Sequence, residues 1–432
     1  MVWRTETYTG WGRALRATGD LARPERRSTL LSLETAPALG NRRSYGDACL
    51  NDAGRALDLS RLDRILDFDP MTGHLHVEAG ATTGDLVRTF APRGWLLPVM
   101  PGTGFATVGG AIAMDVHGKN HHHAGSFGAH VTEIELRQGD TVTTITPGSP
   151  AFEATVGGLG QTGIILSARL ALTPIEGDLM RVRERRMAGW DEFIAELDGS
   201  TAQYCVGWID ATATGSALGR GILEEAEVAE GTPPKAGTAR SVPLDAPGFA
   251  LSSPVVRAFN AAYFRRVPPT GRTVRRSFTD FFFPLDRIHD WNRLYGKAGF
   301  HQFQCVVPLG AAPALREMLE TIARSGRASP LAVLKRLGPG CAGLMSFPME
   351  GYTLAVDIPA KGRATALLAE LEAATLEAGG RIYLAKDALA SPSTIHAMYP
   401  GRAAWAGEAA KADPEGALVT DLVRRLELRE ST

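Results

Sequence analysis

Short alternating runs of apolar and polar residues dominate the first 175 positions and predict strands broken by turns. Leu75, Val77 and Ala79 alternate with polar neighbours, which is the period-two pattern of a half-buried strand. Apolar residues on both sides of Gly139-Asp140 predict a hairpin. The segment that begins at Thr83 predicts a helix with a threonine cap and an early aspartate. Because strands and helices mix without a regular βαβ rhythm, the predicted fold class is α+β and not a doubly wound parallel sheet.

A different pattern begins near residue 228. Prolines and arginines stand among small residues up to position 276 and predict long loops. The simplest interpretation of these arginines is a solvated surface. The alternative is a docking surface for anionic lipid head groups or for a phosphate-bearing substrate. The arginines are Arg257, Arg265, Arg266, Arg272, Arg275 and Arg276.

Regular periodicity returns in the last third of the chain. Residues 278–283 and 303–307 are apolar enough to predict strands, and 312–325 and 363–378 predict amphipathic helices. Gly379-Gly380 is a stop signal for the second helix. These segments indicate a second sheet that carries helices on one face.

Length and composition narrow the class of protein. A chain of 432 residues favours two domains, and a net charge of -1 argues against a general nucleic-acid binder. The four cysteines form no C-x-x-C pair, which favours reduced thiols over a disulfide framework or a zinc site. No apolar run marks a signal peptide or a membrane-spanning helix. We therefore expect a cytoplasmic protein, soluble or peripheral to the inner membrane.

Three Gly-rich loops carry the candidate chemistry. The first (39–47) alternates small and hydrogen-bonding residues, which suits amides that face an anion, but alone it resembles an ordinary turn. The second (101–113) enters a helix and predicts free N–H groups at a positive dipole end, as in a pyrophosphate site. The third (156–163) matches G-x-G-x-x-G, but the apolar run after it predicts a strand and not a helix. We therefore reject a nicotinamide site there and expect backbone pressed against a ligand.

Three adjacent histidines, His121, His122 and His123, suggest a metal site. Neighbouring side chains cannot all face one ion, and no Cys or carboxylate at ligand spacing supports them. No metal is expected.

The loops together resemble the PCMH-type, vanillyl-alcohol-oxidase-like FAD-binding family. The resemblance rests on RSYGD, PGTGFATVGGAIAMDVHGKNHHHAGSFG and ATVGGLGQTGI. In that family the first two loops wrap the FAD pyrophosphate and the third helps to hold the adenine side. Segments 383–387 and 396–400 narrow the resemblance, from about Leu39 to Leu428, to a branch that oxidises a lipid-linked pentose. The resemblance implies a two-part FAD-binding domain (1–177), a substrate or cap domain with an antiparallel sheet flanked by helices (178–377), and a C-terminal segment that returns to the FAD-binding domain (378–432).

The same resemblance implies the site residues. Residues implied to bind FAD are Gly40, Arg42, Arg43, Ser44, Tyr45, Gly46, Asp47, Pro101, Gly102, Thr103, Thr107, Val108, Gly109, Gly110, Ala113, His117, Gly118, Asn120, Gly125, Ser126, Gly158, Gly160, Gly163, Ile164 and Lys386. Residues implied to line the substrate pocket are Lys119, Trp208, Phe282, Gln302, Gln304, Lys335, Ala355 and Lys386. Phe282 and Ala355 depart from the family, which has a tyrosine and a cysteine there. Gln302 and Gln304 share one face because side chains alternate along a strand.

The implied reaction is oxidation of the 2′-hydroxyl of a polyprenyl-phosphate pentose to a keto sugar. Lys386 would lie near the flavin N1/C2 carbonyl, where a cation stabilises reduced flavin. Tyr45, His117 and Lys386 are all candidates to remove the hydroxyl proton. The covalent branch of the family has a histidine in the first loop where this chain has Arg42-Arg43-Ser44, so we expect non-covalent FAD.

Partners and rival functions follow from the same resemblance. A separate NAD(P)H-dependent short-chain reductase would complete a 2′-epimerisation that yields an arabinose donor for the cell envelope. The first alternative is a soluble alditol- or aldonolactone-type sugar oxidase that uses oxygen. The second is a flavin-binding partner in an envelope complex that has no activity.

Overall fold

A small four-stranded sheet opens the chain in a computed structural model that describes residues 3–235 and 237–429. Its elements are β1 (Trp3–Thr9), β2 (Arg16–Ala22), α1 (Arg27–Leu31), β3 (Ala38–Leu39) and β4 (Arg55–Asp58). The strand order is β1-β2-β4-β3, with β1 antiparallel to β2 and the other pairs parallel. The first Gly-rich loop leaves the sheet directly from the end of β3.

A five-stranded antiparallel sheet in the order β5-β6-β10-β8-β9 follows. This region contains β5 (Ile65–Phe68), β6 (His74–Glu78), α2 (Thr83–Phe90), β7 (Trp95–Leu96), α3 (Val108–Ala113), α4 (His121–Ala124), β8 (Val131–Gln138), β9 (Thr141–Ile145), α5 (Pro150–Thr155), β10 (Ile164–Ala171) and β11 (Thr173–Pro174). The predicted hairpin at Gly139-Asp140 is confirmed, since it joins β8 to β9. The predicted helix is also confirmed, but its cap is Thr82, whose side chain accepts a hydrogen bond from the Asp85 amide.

The rest of the chain builds an eight-stranded, wholly antiparallel sheet in the order β16-β12-β14-β13-β19-β20-β18-β21. The elements of this region are β12 (Leu179–Met187), α6 (Trp190–Gly199), β13 (Tyr204–Ile209), β14 (Gly221–Ala229), β15 (Arg240–Ser241), α7 (Ser253–Arg265), β16 (Arg272–Arg276), α8 (Phe278–Phe282), β17 (Ile288–His289), β18 (Phe300–Val307), α9 (Ala312–Ser325), β19 (Ala332–Leu337), β20 (Gly351–Pro359), α10 (Ala364–Glu377), β21 (Arg381–Ile382), α11 (Pro392–Met398), α12 (Arg402–Ala412) and α13 (Asp421–Arg425). Strands β15 and β17 lie outside the large sheet and pair with each other in parallel. Apolar side chains of α9 and α10 share one core with β18 and β20, so the two predicted helices and the predicted strand at 303–307 are confirmed.

The strand predicted at 278–283 is wrong, because residues 278–282 form helix α8. The Ser277 side chain caps this helix by accepting a hydrogen bond from the Asp280 amide. Phe278, Phe281 and Phe282, at helical spacing, are all buried. Aromatic residues favour strands, but here the cap and tertiary burial override that preference.

The long loops predicted for 228–276 are wrong in part, because the region contains the 13-residue helix α7 and strand β16. Pro254 lies in the first turn of α7, where a proline is tolerated because the missing N–H has no partner inside the helix. The proline that suggested a loop is therefore compatible with a helix start.

The C-terminal segment links the large sheet to the first Gly-rich loop. Strand β21 completes the edge of the eight-stranded sheet beside β18. Just beyond it, the Tyr45 amide donates to the Ala385 carbonyl oxygen at 2.9 Å. Arg425 then bridges Asp47 and Asp387, at 2.7 Å to each carboxylate. These contacts hold Lys386 beside Tyr45. The domain boundaries predicted at residues 177 and 377 stay a prediction.

Within residues 3–235 and 237–429, no helix combines the length and apolar character required to cross a bilayer.

Candidate functional site

One cavity of about 980 Å³ lies among the three Gly-rich loops and the large sheet. Its walls include the first loop, parts of the second and third loops, and side chains from β13, β18, β19 and β20. Its volume is at the upper end of the usual range for ligand pockets, roughly 300–1,000 Å³. The cavity can therefore hold a large cofactor together with part of a substrate.

The first loop supplies the anion cradle. Among the described residues, no protein acceptor takes the amide N–H groups of residues 41–44. Arg42 has a left-handed backbone with φ of 50°, and such a residue turns consecutive amides toward one point. The Arg43 guanidinium lies between Trp11 (4.0 Å) and Phe105 (4.4 Å), measured to the ring centroids. Its buried Nε has no hydrogen-bond partner in the described structure, so the loop presents both unpaired amides and an unpaired donor.

The second loop does not present the free N–H groups expected at the start of α3, and that prediction is wrong. The Val108 amide donates to the Ala81 carbonyl and the Gly109 amide to the Ala79 carbonyl, both at 2.8 Å. The Gly110 amide donates to the Thr107 hydroxyl at 3.2 Å. The start of α3 therefore packs against the segment between β6 and α2, and its first amides are not free to bind an anion.

The third loop brings Leu159 and Gly160 to the cavity wall. Both have a left-handed backbone, and a Cβ on Gly160 would meet no atom within 4 Å, so that residue faces open space. A Cβ on Gly158 would lie 1.8 Å from the Ala154 carbonyl oxygen. The strand predicted after this loop is confirmed as β10. The G-x-G-x-x-G letters therefore mark a turn with close packing before a strand, and not the start of a helix.

Most of the residues implied by the family resemblance converge on this cavity. All three catalytic candidates (Tyr45, His117, Lys386) and all eight implied substrate residues line it. Of the implied FAD-binding residues, those that do not line it are Gly46, Asp47, Val108, Gly109, Asn120, Gly125, Ser126, Gly158, Gly163 and Ile164. Several of these shape the wall from behind: a Cβ on Gly46, for example, would lie 1.6 Å from the Asp387 carbonyl oxygen.

Three lysines line the cavity, and burial lowers the pKa of each. The pKa falls to about 8 for Lys119 and to about 7 for both Lys335 and Lys386. The charges of Lys119 and Lys386 lower the pKa of Lys335 further. The charge of Asp357 partly offsets the lowering of the pKa of Lys386. A bound anion would favour the charged form of all three, so the cavity is suited to a ligand with negative charge.

His117 is held from both sides of its ring. Its Nδ1 lies 3.0 Å from Lys335 Nζ and its Nε2 lies 3.0 Å from Gln304 Nε2. Burial, and then the Lys335 charge, hold the pKa of His117 well below its ordinary value, so the imidazole is neutral. An ammonium only donates hydrogen bonds, and therefore a charged Lys335 occupies the Nδ1 lone pair. His117 is then unable to accept a substrate proton at that atom.

A second polar cluster surrounds Lys386. Its Nζ lies 3.6 Å from the centroid of the Tyr45 ring. Asp357 accepts hydrogen bonds from Gln302 Nε2 at 2.5 Å and from the Tyr295 hydroxyl at 2.9 Å. Burial raises the pKa of Asp357 to about 7 and, with the nearby Asp357 charge, raises that of Tyr45 well above 10. Tyr45 is therefore a poor proton acceptor at neutral pH.

Sequence reasoning missed Asp357. It is fully buried and pairs in register with Gln302 across β18 and β20. The available signal was a single carboxylate at the end of the apolar run Leu354–Val356. Without the strand register, nothing indicated that this carboxylate faces Gln302.

The arginine-rich region forms the other end of the cavity. Glu184 is buried and is contacted by Arg266 (2.9 Å), Arg272 (2.5 Å) and Arg276 (2.5 Å). Arg266 and Arg276 also pair with Glu224 and line the cavity. The simplest interpretation, a solvated surface, is therefore wrong for Arg266 and Arg276, whereas Arg272 stays exposed. Three cations around two carboxylates leave this end of the cavity with net positive charge.

The adjacent histidines point to separate partners. His121 Nδ1 accepts from the Gly338 amide at 3.1 Å, and His122 Nε2 lies 3.1 Å from the Ala202 carbonyl oxygen. In the part of the chain that the structure describes, no group of three or more His, Cys, Asp or Glu side chains is arranged to hold a metal ion.

Comparison with known proteins identifies the cofactor. Residues 36–146, which include the first two Gly-rich loops, match the family model of the FAD binding domain. The unpaired amides at 41–44, the unpartnered Arg43 Nε and the open face of Gly160 fit such a cofactor. FAD, predicted from the loops, is confirmed as the cofactor.

Similarity extends along the whole chain. It is 37% identical to the decaprenylphosphoryl-β-D-ribose oxidase of Mycolicibacterium smegmatis, over 98% of each chain. An uncharacterised protein of Streptomyces coelicolor is 34% identical, over 79% of this chain and 99% of its own. The D-lactate dehydrogenase of Anaerostipes hadrus is 26% identical over only 30% of this chain and 29% of its own.

Proposed function

The chain belongs to the family of decaprenylphosphoryl-β-D-ribose oxidases, and from that premise we propose that it oxidises the 2′-hydroxyl of a polyprenyl-phosphate pentose to a keto sugar. It is an FAD-dependent oxidoreductase that acts on a CH–OH group, and bound FAD supplies the hydride acceptor. The observation that carries the proposal is the order of groups along one cavity. The first loop contacts Ala385 beside the β21–β18 edge of the large sheet, the glutamines and Lys335 lie on β18 and β19, and Arg276 lies on β16 at the opposite edge.

This order suits a substrate whose sugar lies between the flavin and a phosphate. Gln302 and Gln304 project from one face of β18 and offer amide groups to sugar hydroxyls. Arg266 and Arg276 lie toward the far end, where the phosphate would bind them. A free polyol carries no negative charge for this cationic region to bind, which favours the lipid-phosphate substrate over the alditol-type alternative.

Among the three candidate bases, Lys386 is the one we propose. The Nδ1 of His117 is occupied by Lys335, and the pKa of Tyr45 lies well above 10. With its pKa lowered to about 7, Lys386 is neutral in a large fraction of molecules at neutral pH. The neutral amine accepts the hydroxyl proton. The resulting ammonium would then stabilise the negative charge of a reduced flavin bound beside Tyr45.

Anaerobic flavin reduction tests the proposal. We expect polyprenyl-phosphate ribose to bleach the flavin in a single turnover, and free sugars to leave it oxidised. Lys386→Met should slow bleaching by about 100-fold or more, as loss of a general base does. Lys411→Met, at a lysine side chain that is 75% exposed, is the matched control and should leave the rate unchanged. Peroxide release from free polyols, with no response to the lipid substrate, would favour the alditol-type oxidase instead.

The pH profile separates a proton-accepting role from a purely structural one. If the neutral form of Lys386 is active, the reduction rate rises with pH through about 7. Asp357→Asn removes a negative charge that favours the ammonium, so this limb should move to lower pH. A profile that keeps its position in Asp357→Asn would argue against Lys386 as the proton acceptor.

The keto sugar needs a second enzyme to complete a 2′-epimerisation. Returning a hydride with the opposite configuration requires a hydride donor, and the third Gly-rich loop, which is followed by β10, is not a nicotinamide site. We infer that a separate NAD(P)H-dependent reductase takes this step. Mixing it with the holoenzyme and substrate should give the epimer, whereas the holoenzyme alone should stop at the keto sugar.

A further inference from the structure

A stripe of apolar and aromatic side chains on α7 continues the cavity wall onto the protein surface. Val255, Phe259 and Tyr263 follow one another at four-residue spacing and therefore lie on one face of the helix. Tyr263 lines the cavity, while Phe259 and Val255 are 50% and 46% exposed. On the same helix Val256 is buried, so the exposed Phe259 and Val255 lie on a different face from the one that packs against the protein.

Ring contacts connect this stripe to the cavity without a gap. The Trp208 and Tyr263 centroids are 4.7 Å apart, and the Tyr263 and Phe259 rings stack at 5.9 Å with an interplanar angle of 18°. Trp208 lines the cavity, and its Nε1 donates to the Pro330 carbonyl oxygen at 2.9 Å, which fixes the indole. An apolar chain that leaves the cavity at Trp208 therefore meets aromatic surface as far as Phe259.

The cationic end of the cavity meets the same stripe. The Arg266 guanidinium lies 4.3 Å from the centroid of the Tyr263 ring and one turn further along α7. The cavity wall thus includes the glutamines of β18, the arginines beside Glu184 and Glu224, and the Tyr263 end of the aromatic stripe. A ligand with a sugar, a phosphate and a hydrocarbon chain carries groups complementary to all three.

We propose that the polyprenyl chain of the substrate leaves the cavity over Trp208 and Tyr263 and lies along Phe259 and Val255 on the outer face of α7. This inference rests on the proposed function, because it takes a lipid-phosphate sugar as the substrate. From Val255 to Tyr263 the helix rises about 12 Å, at 1.5 Å per residue. The stripe therefore contacts the isoprene units next to the phosphate, and the more distant units extend beyond it.

Chain-length dependence tests the inference. The holoenzyme would be assayed with ribose carrying a farnesyl phosphate and with ribose carrying a dimethylallyl phosphate, whose five carbons end near Tyr263. We expect kcat/KM of the wild type to be higher for the farnesyl compound. Phe259→Ser should lower the farnesyl value by about tenfold, which is about 1.4 kcal/mol, because the chain covers the half of the Phe259 side chain that is otherwise exposed. It should barely change the dimethylallyl value.

Leu376→Ser is the matched control, because Leu376 is also a helix-borne apolar residue, 38% exposed, and lies on α10. It should leave both values unchanged, and the flavin content of both variants should equal that of the wild type. An equal loss with both substrates in Phe259→Ser would overturn the inference. So would an unchanged chain-length preference accompanied by weaker binding to anionic phospholipid vesicles, because the stripe would then contact a membrane. If the wild type reduced its flavin with neither compound, the proposed function itself would be refuted, and this inference, which rests on it, would be refuted as well.

Discussion

Replacing Lys335 by methionine should stabilise the flavin-free protein while impairing its site. Methionine has a similar length and no charge, so it removes the unfavourable burial of an ammonium. The pKa of Lys335 falls from 10.5 to about 7, chiefly through burial. At 1.36 kcal/mol per pH unit, this fall corresponds to roughly 5 kcal/mol that opposes folding when the lysine is charged.

Lost hydrogen bonds offset part of that gain. Lys335 Nζ contacts His117 Nδ1 at 3.0 Å and the Gly118 carbonyl oxygen at 3.5 Å. Leaving a buried acceptor unpaired costs about 1–3 kcal/mol. We therefore expect Lys335→Met to raise the free energy of unfolding by about 2 kcal/mol at pH 7.

The sign of the pH dependence follows from the direction of the pKa change. In the unfolded chain Lys335 has an ordinary lysine pKa, so the penalty is complete below pH 7 and disappears as pH rises toward 10.5. Methionine carries no such penalty at any pH. The advantage of the variant should accordingly be largest near pH 7 and smaller at pH 9.5.

Urea unfolding of the flavin-free wild type and variant at pH 7 and pH 9.5 measures this difference. Comparing the two proteins at each pH cancels the contribution of titrating groups that do not interact with Lys335. Lys411→Met, at an exposed lysine, should show no difference at either pH. A Lys335→Met protein that is less stable than the wild type at pH 7, or a difference that does not change with pH, would refute the argument from charge burial.

Three further predictions follow from packing and charge. Glu184→Gln removes the charge that three arginines surround and should lower the free energy of unfolding by about 3–5 kcal/mol. The control Glu227→Gln, in an exposed pair with Arg181, should change the free energy of unfolding by less than about 1 kcal/mol. Similar urea unfolding curves for the two variants would contradict this prediction. Gly46→Ala puts a Cβ against the Asp387 carbonyl, so it should lower the free energy of unfolding and also the FAD affinity measured by fluorescence titration. The control Gly102→Ala places its Cβ where no protein atom lies within 4 Å, so its unfolding curve should match that of the wild type. Pyrophosphate binding to the flavin-free protein, followed by calorimetry, should weaken as pH rises through about 7–8, because the three cavity lysines lose charge; an affinity that does not depend on pH would contradict their role.

Local sequence patterns were sufficient for features that depend on neighbouring residues. The hairpin at Gly139-Asp140, the helices at 312–325 and 363–378, and the strand after the third Gly-rich loop all rest on turn residues and periodicity. The motifs in the three loops carried the family resemblance that implied FAD, and the family model over residues 36–146 confirms that cofactor. The residues of α8 show the limit, because their aromatic composition favours a strand and only the Ser277 cap and burial of the phenylalanines make them helical.

Only the tertiary structure decided how distant residues share the site. The first two amides of α3 donate to the carbonyls of Ala79 and Ala81, which lie about 30 residues earlier in the chain. Asp357 became part of the site through its register with Gln302. The arginines that suggested a solvated surface surround Glu184, which lies about 80–90 residues earlier in the chain. The sequence by itself determined the cofactor, through the motifs that resemble a known family, and the kinds of groups available, through loop composition. Which groups are unpaired, charged or adjacent depends on burial and strand pairing, which only the folded chain defines.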